Sequence, residues 1–342
     1  MTVSTDCSAE AGEGKTKMRA LLCTNPGPEF ALEIKDIPDL APGPGEVVID
    51  VQAAGLNFPD TLIVRGQYQF KPEPPFSPGA EAAGVVAAVG AGVELPVGMP
   101  VVALGVFGAF AEQWVVPASA VMPLPPGVGF EQAAGFGLTY GTAYYALKQQ
   151  GRLQPGETLL VLGAAGGVGS AAVQIGKAMG ATVIAAAGSE QKLAFASECG
   201  ADLTVDYLQE DLKTRVRELT QGRGVDVVFD PVGGGVSEPA LRATAWDGRF
   251  LVIGFAAGDI PRIPLNLALL KGLHIVGVFW GSWVGREPVA SRRNYEELFE
   301  MVASGVVELP EVETHAFEDH AAAFATLTER RATGKVVLRI NV

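Results

Sequence analysis

The pattern of apolar and polar positions divides the chain near Thr139. Before that point the apolar runs are short and strand-like, and they are separated by glycine and proline, which interrupt regular structure. The strands that we predict there lie at residues 47–52, 84–89, 101–104 and 110–116. This arrangement predicts a compact, β-rich, barrel-like domain.

After Thr139, apolar and β-branched runs alternate with stretches that have a helical period. The predicted strands are residues 158–162, 182–187, 203–206, 225–230, 250–254 and 274–279. The predicted helices between them are residues 168–179, 191–198, 212–220, 238–245 and 265–271. Repeated strand, helix and strand units of this kind feed a mostly parallel sheet, so this part predicts a doubly wound α/β domain.

The end of the chain returns to a mixed pattern, with helices predicted at residues 294–302 and 321–331 and a closing strand at 335–340. We assign this tail to the first domain. The predicted organisation is residues 18–140 for the first part of the β-rich domain, 141–285 for the α/β domain and 286–342 for the return. The first residues are small, polar and unpatterned, and we expect residues 1–17 to be a disordered leader.

A glycine-rich turn, residues 163–169 with the sequence Gly-Ala-Ala-Gly-Gly-Val-Gly, follows the first strand of the α/β domain. It keeps the spacing of the dinucleotide fingerprint, with Ala164 where the first glycine usually stands. Gly166 lets the backbone approach a pyrophosphate, Gly169 lets helix and strand pack closely, and the helix N-terminus attracts the diphosphate. The alternative is a plain tight turn, but a strand before it and a helix after it favour dinucleotide binding.

The end of the second α/β strand selects the cofactor. NAD sites place an acidic residue there, about 20 residues beyond the glycines, to bind the ribose 2′-hydroxyl. Here the strand ends with Ala187, Gly188 and Ser189, and Lys192 follows. A hydroxyl and a positive charge suit a 2′-phosphate, so we predict NADPH. A solvated lysine in a first helical turn is the alternative for Lys192.

Composition and charge exclude several classes of protein. The chain has 342 residues, of which 48% are hydrophobic, and a formal net charge of −13. An acidic protein of this kind repels a phosphate backbone, so we expect no nucleic-acid partner. No apolar stretch is long enough for a membrane helix and no signal peptide is apparent, so we expect a soluble, cytoplasmic protein without a membrane partner. Its three cysteines form no disulfide or zinc pattern.

The chain resembles the zinc-independent quinone oxidoreductase branch of the medium-chain dehydrogenase/reductase family. The resemblance rests on the glycine-rich turn and on residues 54–61 (Ala-Gly-Leu-Asn-Phe-Pro-Asp-Thr), 78–86 (Pro-Gly-Ala-Glu-Ala-Ala-Gly-Val-Val) and 229–233 (Phe-Asp-Pro-Val-Gly). It implies an α/β fold in two parts: a GroES-like β-rich catalytic domain and a Rossmann domain with a doubly wound parallel sheet. It also implies that the cofactor lies in the cleft between them.

The resemblance further implies that no catalytic metal is present. In zinc-dependent members of the family a cysteine and a histidine bind the metal, and the matching positions here are Asn57 and Ala80. Neither side chain is a zinc ligand of the usual kind. The three histidines are too dispersed to suggest a cluster, so we expect no metal ligands.

By the same resemblance, several residues surround the cofactor or the substrate. Asn57, Asp60 and Tyr144 are the catalytic candidates, with Asn57 as a donor to an acceptor oxygen and Tyr144 as a proton donor. For these two the alternatives are a satisfied loop asparagine and an aromatic residue at the domain hinge. The cofactor-binding candidates are Thr142, Ala165, Gly166, Gly167, Val168, Gly188, Ser189, Lys192, Tyr207, Gly254, Phe255, Phe279 and Arg331. For Tyr207 and Arg331 the alternatives are a half-buried tyrosine at a strand end and a solvated helix residue.

These residues predict an NADPH-dependent oxidoreductase that transfers hydride to quinones or other conjugated carbonyl compounds. Such acceptors are already electron-poor and need no metal to polarise them, whereas simple alcohols require a metal or a strong base. An NADPH-dependent enoyl thioester reductase is the alternative within enzymes. An NADPH-binding structural protein, similar to the lens crystallins of this family, is the alternative from another class.

The strand predicted at residues 274–279 has β-branched residues with the character of an exposed sheet edge, and such edges pair readily. By resemblance, this edge joins two subunits. We therefore expect a homodimer, with a tetramer as the alternative, and a small quinone or enone as the other partner.

Overall fold

Short runs of residues between glycine and proline form the strands of the first domain in the computed structural model of the protein, which describes residues 17–341. The predicted leader lies outside the described residues except for Lys17. The strands are β1 (Lys17–Asn25), β2 (Ala31–Pro38), β3 (Glu46–Leu56), β4 (Glu81–Val89), β5 (Pro100–Leu104), β6 (Gln113–Pro117) and β7 (Val121–Pro123). The helices are α1 (Phe58–Ile63), α2 (Phe130–Ala134) and α3 (Gly137–Tyr145).

The second domain alternates strands and helices, as the sequence period predicts. Its strands are β8 (Thr158–Leu162), β9 (Thr182–Ala187), β10 (Leu203–Asp206), β11 (Val225–Asp230), β12 (Thr244–Val252) and β13 (His274–Gly277). Its helices are α4 (Gly167–Ala178), α5 (Glu190–Glu198), α6 (Leu212–Leu219), α7 (Ser237–Ala243), α8 (Asn266–Lys271) and α9 (Trp280–Arg286). The sheet order is β10-β9-β8-β11-β12-β13, and each neighbouring pair is parallel. The predicted doubly wound sheet is thereby confirmed.

The tail consists of α10 (Pro288–Ala303), β14 (Glu313–Ala316), α11 (His320–Thr328) and β15 (Val336–Arg339). β15 pairs antiparallel with β3, and β14 extends the same sheet, whose order is β14-β15-β3-β4-β5-β7 with β6 also paired to β3. The C-terminus therefore completes the sheet of the first domain. The two-part fold, GroES-like and Rossmann, agrees with the expectation.

Helix α10 follows the predicted division at residue 286 and packs against the Rossmann domain as well as the first domain. Tyr295 and Leu298 of α10 are buried in the same apolar cluster as Leu159 and Phe229 of the parallel sheet. Phe299 of α10 also stacks on Phe136 of the first domain, with ring centroids 5.5 Å apart, so α10 packs against both domains. An amphipathic helix does not carry the identity of its partner in its own pattern.

Several predicted element boundaries also shift. The strand predicted at residues 110–116 begins at Gln113, because the carbonyl of Phe110 is already bonded to the N–H of Leu21. The strand predicted at 274–279 ends at Gly277, and α9 begins at Trp280. Among residues 17–341, none of the helices is both long and apolar enough to cross a membrane.

Candidate active site

The glycine-rich turn joins β8, whose five residues are all buried, to α4, with Gly166 as the N-cap residue. A Cβ atom at Gly169 would lie 2.2 Å from the carbonyl oxygen of Gly163, so no side chain fits there. A Cβ atom at Gly166 would meet only that same oxygen, at 3.5 Å, which is ordinary contact. The protein itself therefore needs glycine at 169 but not at 166, and the open side of Gly166 suits a closely approaching ligand.

The N-terminus of α4 has the properties of an anion site. The first turn, which holds Gly167, Val168 and Gly169, has no acidic residue and no side-chain cap. The first N–H groups of a helix have no partner within the helix, and they carry a partial positive charge. This end of α4 therefore fits the pyrophosphate of a dinucleotide.

Four of the residues predicted at the adenosine end lie together beyond β9 and β10. Ser189 is the N-cap residue of α5, and its hydroxyl accepts a 3.4 Å bond from the N–H of Lys192. A Cβ atom at Gly188 would lie 3.2 Å from the ring of Tyr207, so this tyrosine packs over the glycine. Burial raises the pKa of the Tyr207 hydroxyl, which remains a hydrogen-bond donor at neutral pH.

Arg331, predicted as the fifth member of this group, is ion-paired with Glu329 at the surface, with 2.8 Å between Nε and Oε2. Its neighbour Arg330 lies closer to the group: its charge opposes the rise in the pKa of Tyr207, and its carbonyl accepts a 2.8 Å bond from Nζ of Lys192. Arg330 also has a left-handed backbone, with φ of 58°. Sequence reasoning missed Arg330 because two adjacent arginines differ only in the direction that this turn gives them.

Three of the residues predicted at the nicotinamide end follow the carboxyl ends of Rossmann strands, where ligands bind in doubly wound folds. Gly254 and Phe255 follow β12, and the ring of Phe255 packs on Gly233. Phe279 precedes α9 and is 57% exposed. Thr142 is half-buried on α3.

The aromatic residues near α9 serve mainly in packing. Trp283 stacks on Tyr145 with ring centroids 4.3 Å apart. Trp280 lies against Gly141, where a Cβ atom would be 3.0 Å from its ring. Of Phe279, Trp280 and Trp283, Phe279 is therefore the one that leaves a large exposed surface.

Asn57 and Asp60, two of the predicted catalytic residues, are buried at the start of α1. Oδ2 of Asp60 accepts a 2.7 Å bond from the N–H of Asn57, and Oδ1 accepts a 3.3 Å bond from the N–H of Gly79. Burial raises the pKa of Asp60 to about 7, although the charge of Lys335 and these two bonds oppose the rise. The carboxyl of Asp60 therefore changes its protonation state near neutral pH.

The side-chain amide of Asn57 is fully engaged within the protein. Its Nδ2 group donates to Oε1 of Glu81 at 2.8 Å and to the carbonyl of Gly55 at 3.2 Å, and its Oδ1 atom accepts from Nζ of Lys335. An acceptor oxygen would have to replace the longer of the two donated bonds, the one to Gly55.

Glu81 and Lys335 form a buried ion pair that sequence reasoning did not predict. The side chain of Glu81 is fully buried and that of Lys335 is 8% exposed. Oε2 of Glu81 also accepts a 2.7 Å bond from the N–H of Leu138, in the first turn of α3. The signal was the charged residue inside the apolar motif at 78–86, because a charge in a buried strand requires a partner.

Tyr144, the third catalytic candidate, faces α10. Its hydroxyl donates a 2.8 Å bond to Oε2 of Glu297, which also accepts from Lys148. Burial and this carboxylate raise the pKa of Tyr144 well above its usual value. Proton donation to a substrate would have to break the bond to Glu297.

The residues at the predicted zinc positions do not fit a zinc ion. Ala80 has no ligand atom, and the amide of Asn57 is held by Glu81 and Lys335. Within the described part of the chain, no group of three or more His, Cys, Asp or Glu side chains is placed to hold a metal ion.

A GroES-like domain joined to a Rossmann domain with a dinucleotide turn defines the class of medium-chain dehydrogenases and reductases. Residues 43–126 match the family "Alcohol dehydrogenase GroES-like domain", and residues 167–304 match "Zinc-binding dehydrogenase". The match to the second family does not supply the metal ligands that its name refers to.

Individual relatives narrow the class. A quinone oxidoreductase-like protein 2 homolog of Nematostella vectensis is 38% identical over 329 residues, covering 95% of this chain and 90% of the relative. An Escherichia coli quinone oxidoreductase in complex with NADPH superposes with a TM-score of 0.86 at 32% identity, covering 94% of this chain and 99% of that one. The CurK enoyl reductase superposes with a TM-score of 0.85 at 27% identity, covering 94% and 99%. The chain belongs to the quinone oxidoreductase branch of the medium-chain dehydrogenase/reductase family and is an oxidoreductase with a nicotinamide nucleotide cofactor.

The two glycines of the turn should respond differently to alanine. Gly169→Ala places a methyl group against the carbonyl of Gly163 and should lower the unfolding free energy by about 2 kcal/mol. Gly166→Ala, with φ of −80°, should leave the melting temperature unchanged and weaken nicotinamide dinucleotide binding at least about tenfold, because the methyl occupies the ligand side. Thermal melting and equilibrium titration test both; equal melting losses in the two variants contradict the assignment.

Asp60 should make stability depend on pH. Its folded pKa of about 7 lies above the ordinary value of 3.8, so its contribution is complete below pH 4 and is lost as pH rises towards 7. Between pH 5 and pH 7 the unfolding free energy should fall by about 2 kcal/mol through this group. Urea unfolding should show the fall in wild type and in the exposed control Asp39→Asn, but not in Asp60→Asn. A parallel pH profile for Asp60→Asn contradicts the prediction.

Proposed function

We propose that this protein is an NADPH-dependent oxidoreductase that transfers hydride to quinones or other conjugated carbonyl compounds without a catalytic metal. The observation that carries the proposal is the end of β9, where Gly188 and Ser189 replace an acidic residue and lie beside Lys192, Tyr207 and Arg330. Two positive charges and two hydroxyl groups favour a 2′-phosphate, and the complex of the Escherichia coli relative contains NADPH.

Different residues of the chain would bind different parts of the cofactor. The N-terminus of α4 would hold the pyrophosphate. Ser189, Lys192, Tyr207 and Arg330, which we call the Lys192 group, would hold the 2′-phosphate. Gly254, Phe255, Phe279 and Thr142 would surround the nicotinamide end. When bound, NADPH supplies the hydride, so the protein has to hold the acceptor against the nicotinamide and exclude water. Asp60 and Tyr144 are the groups that could supply or move a proton.

A panel of acceptors tests the proposed reaction. NADPH oxidation, followed at 340 nm, should be steady with quinones or enones and should be lost in Gly166→Val. The likeness to the CurK enoyl reductase makes an enoyl thioester the second acceptor to include. Turnover with the thioester alone would assign the protein to enoyl reduction, and tight NADPH binding without turnover of any acceptor would make it a binding protein.

The cofactor preference is a separate prediction. NADPH should bind at least about tenfold more tightly than NADH, because the charges at Lys192 and Arg330 interact with the 2′-phosphate. Lys192→Ala should remove most of that difference and leave NADH affinity nearly unchanged. Lys177→Ala, at an ion pair with Asp202, is the matched control. Equal affinities of the wild type for the two cofactors would reject the 2′-phosphate site.

We also propose that the β13 edge of the parallel sheet forms a homodimer interface. β13 pairs with β12 on one side and ends the sheet on the other. Large apolar side chains are exposed on β13, on the neighbouring β12 and on α8 and its N-cap residue, including Ile275 (42%), Trp246 (76%), Leu269 (81%) and Leu265 (77%). Exposed apolar side chains of this size favour a subunit contact.

Charge at this edge should separate the subunits. Leu269→Glu should convert the dimer to monomer in light scattering without lowering the monomer's folding stability, because the side chain is exposed. Val97→Glu, an equally polar change at a 64% exposed site in the first domain, should leave the dimer intact. A monomeric wild type would reject the interface.

A further inference from the structure

The segment at residues 330–334, which we call the return segment, lies on the cofactor side of the Rossmann domain before the chain enters β15. The N–H of Gly334 donates a 2.8 Å bond to the carbonyl of Ala165, inside the glycine-rich turn. Gly334 also forms an isolated parallel β-bridge with Gly166. The carbonyl of Arg330 accepts from Lys192, and its guanidinium donates a 2.9 Å bond to the carbonyl of Ala257. The return segment therefore contacts the glycine-rich turn and Lys192, one of the residues predicted to bind the 2′-phosphate.

The next residue, Lys335, enters the other domain. Its ammonium group donates to Oε1 of Glu81 and to Oδ1 of Asn57, all of them buried. Gly334, which is bonded to the glycine-rich turn, and Lys335, which is bonded to Asn57, are therefore consecutive residues. Any shift of the return segment must be absorbed within that short distance or transmitted to Asn57.

The residues around Lys335 leave its side chain little room to adjust to a shift of the return segment. A Cβ atom at Gly135 would lie 2.6 Å from Cγ of Lys335, and one at Gly167 would lie 3.5 Å from its Cδ. The lysine stem therefore runs between the end of α2 and the first residue of α4. Close packing on both sides keeps the stem in one path.

The ammonium group also determines how the Asn57 amide is oriented. With its oxygen on Lys335, the amide directs both N–H bonds towards Glu81 and Gly55. Rotating the amide by 180° would place its N–H group against a positive charge and leave Glu81 without that donor. Lys335 therefore selects the orientation in which the 3.2 Å bond to Gly55 is the one that an acceptor oxygen can replace.

We propose that Lys335 is a positioning residue that couples the seating of the return segment on the cofactor turn to the orientation of the Asn57 amide. The inference rests on the proposed function, because it takes NADPH as the ligand of the turn and takes Asn57 as the hydrogen-bond donor to the oxygen of the acceptor that receives the hydride. Lys335 itself acts through Asn57 and touches no reacting atom.

The kinetic test separates this role from a structural one. Lys335→Met should lower kcat at least about tenfold and change the KM for NADPH less than about threefold. The conservative variant Lys335→Arg should keep most of the wild-type kcat. Asn57→Ala should show the same loss, and Lys335→Met should cause no further loss in the Asn57→Ala background. Lys177→Met, which breaks a surface ion pair, should leave kcat unchanged. Losses that multiply in the double variant would overturn the proposal, as would full activity of Lys335→Met.

Hydrogen exchange tests the coupling without turnover. In the wild type, NADPH should slow exchange at residues 163–169 and also at residues 54–63; in Lys335→Met it should slow only the former. If the single variant Lys335→Met does not fold, the double variant Lys335→Met/Glu81→Gln replaces it in this experiment, because it removes both charges of the buried ion pair. If NADPH slows exchange in neither region, the proposed function fails. The positioning role is then tested by comparing hydrogen exchange at residues 54–63 in the proteins without NADPH. Faster exchange at 54–63 in Lys335→Met but not in Lys177→Met then supports it, and unchanged exchange overturns it.

Discussion

The ion pair between Glu81 and Lys335 is the constraint on which the two-part structure depends. Removing two charges from water costs several kcal/mol for each ion, and only good geometry and further hydrogen bonds offset that cost. Glu81 obtains them from Asn57 and from the first turn of α3, while Lys335 arrives from the far end of the chain. The pair therefore joins β4, the start of α1, α3 and β15 at one point, and each of these elements must be in place for the charges to be satisfied.

The same pair helps to order the segment at residues 57–60, where the zinc-dependent relatives place a metal ligand. In a zinc site the free energy of metal binding contributes to the ordering of the ligand side chains. Here Asn57 is fixed by a lysine and a glutamate, and Asp60 is fixed by two backbone N–H groups. Close approach in this region needs glycine: at Gly55 a Cβ atom would lie 2.2 Å from the carbonyl of Ala134 and 2.7 Å from Glu81. The glycine in the motif at 54–61 therefore has a packing reason within the protein.

The sequence was informative wherever a property repeats along the chain. The alternation of buried strands and helices predicted the parallel sheet, and the spacing of glycines predicted the turn between β8 and α4. It was uninformative where one residue's meaning depends on a distant partner. Lys335 looks like a solvated lysine until Glu81 lies beside it, and Tyr144 looks like a cleft residue until α10 brings Glu297 to its hydroxyl. The choice between Arg330 and Arg331 depends on one left-handed residue, which no periodic pattern reveals.

The two glycines of the turn carry different kinds of information, and the contrast extends to the whole site. Gly169 is required by the fold, because its neighbours leave no space for a side chain. No close protein neighbour requires glycine at 166, and this open side is why we assign Gly166 to the proposed cofactor site. The Lys192 group is similar, because Lys192 and Arg330 bring two positive charges together with bonds to carbonyl groups and without a carboxylate partner in those contacts. Neither feature is explained by packing within the fold, and the proposed dinucleotide would account for both, with its pyrophosphate at the turn and its 2′-phosphate at the end of β9.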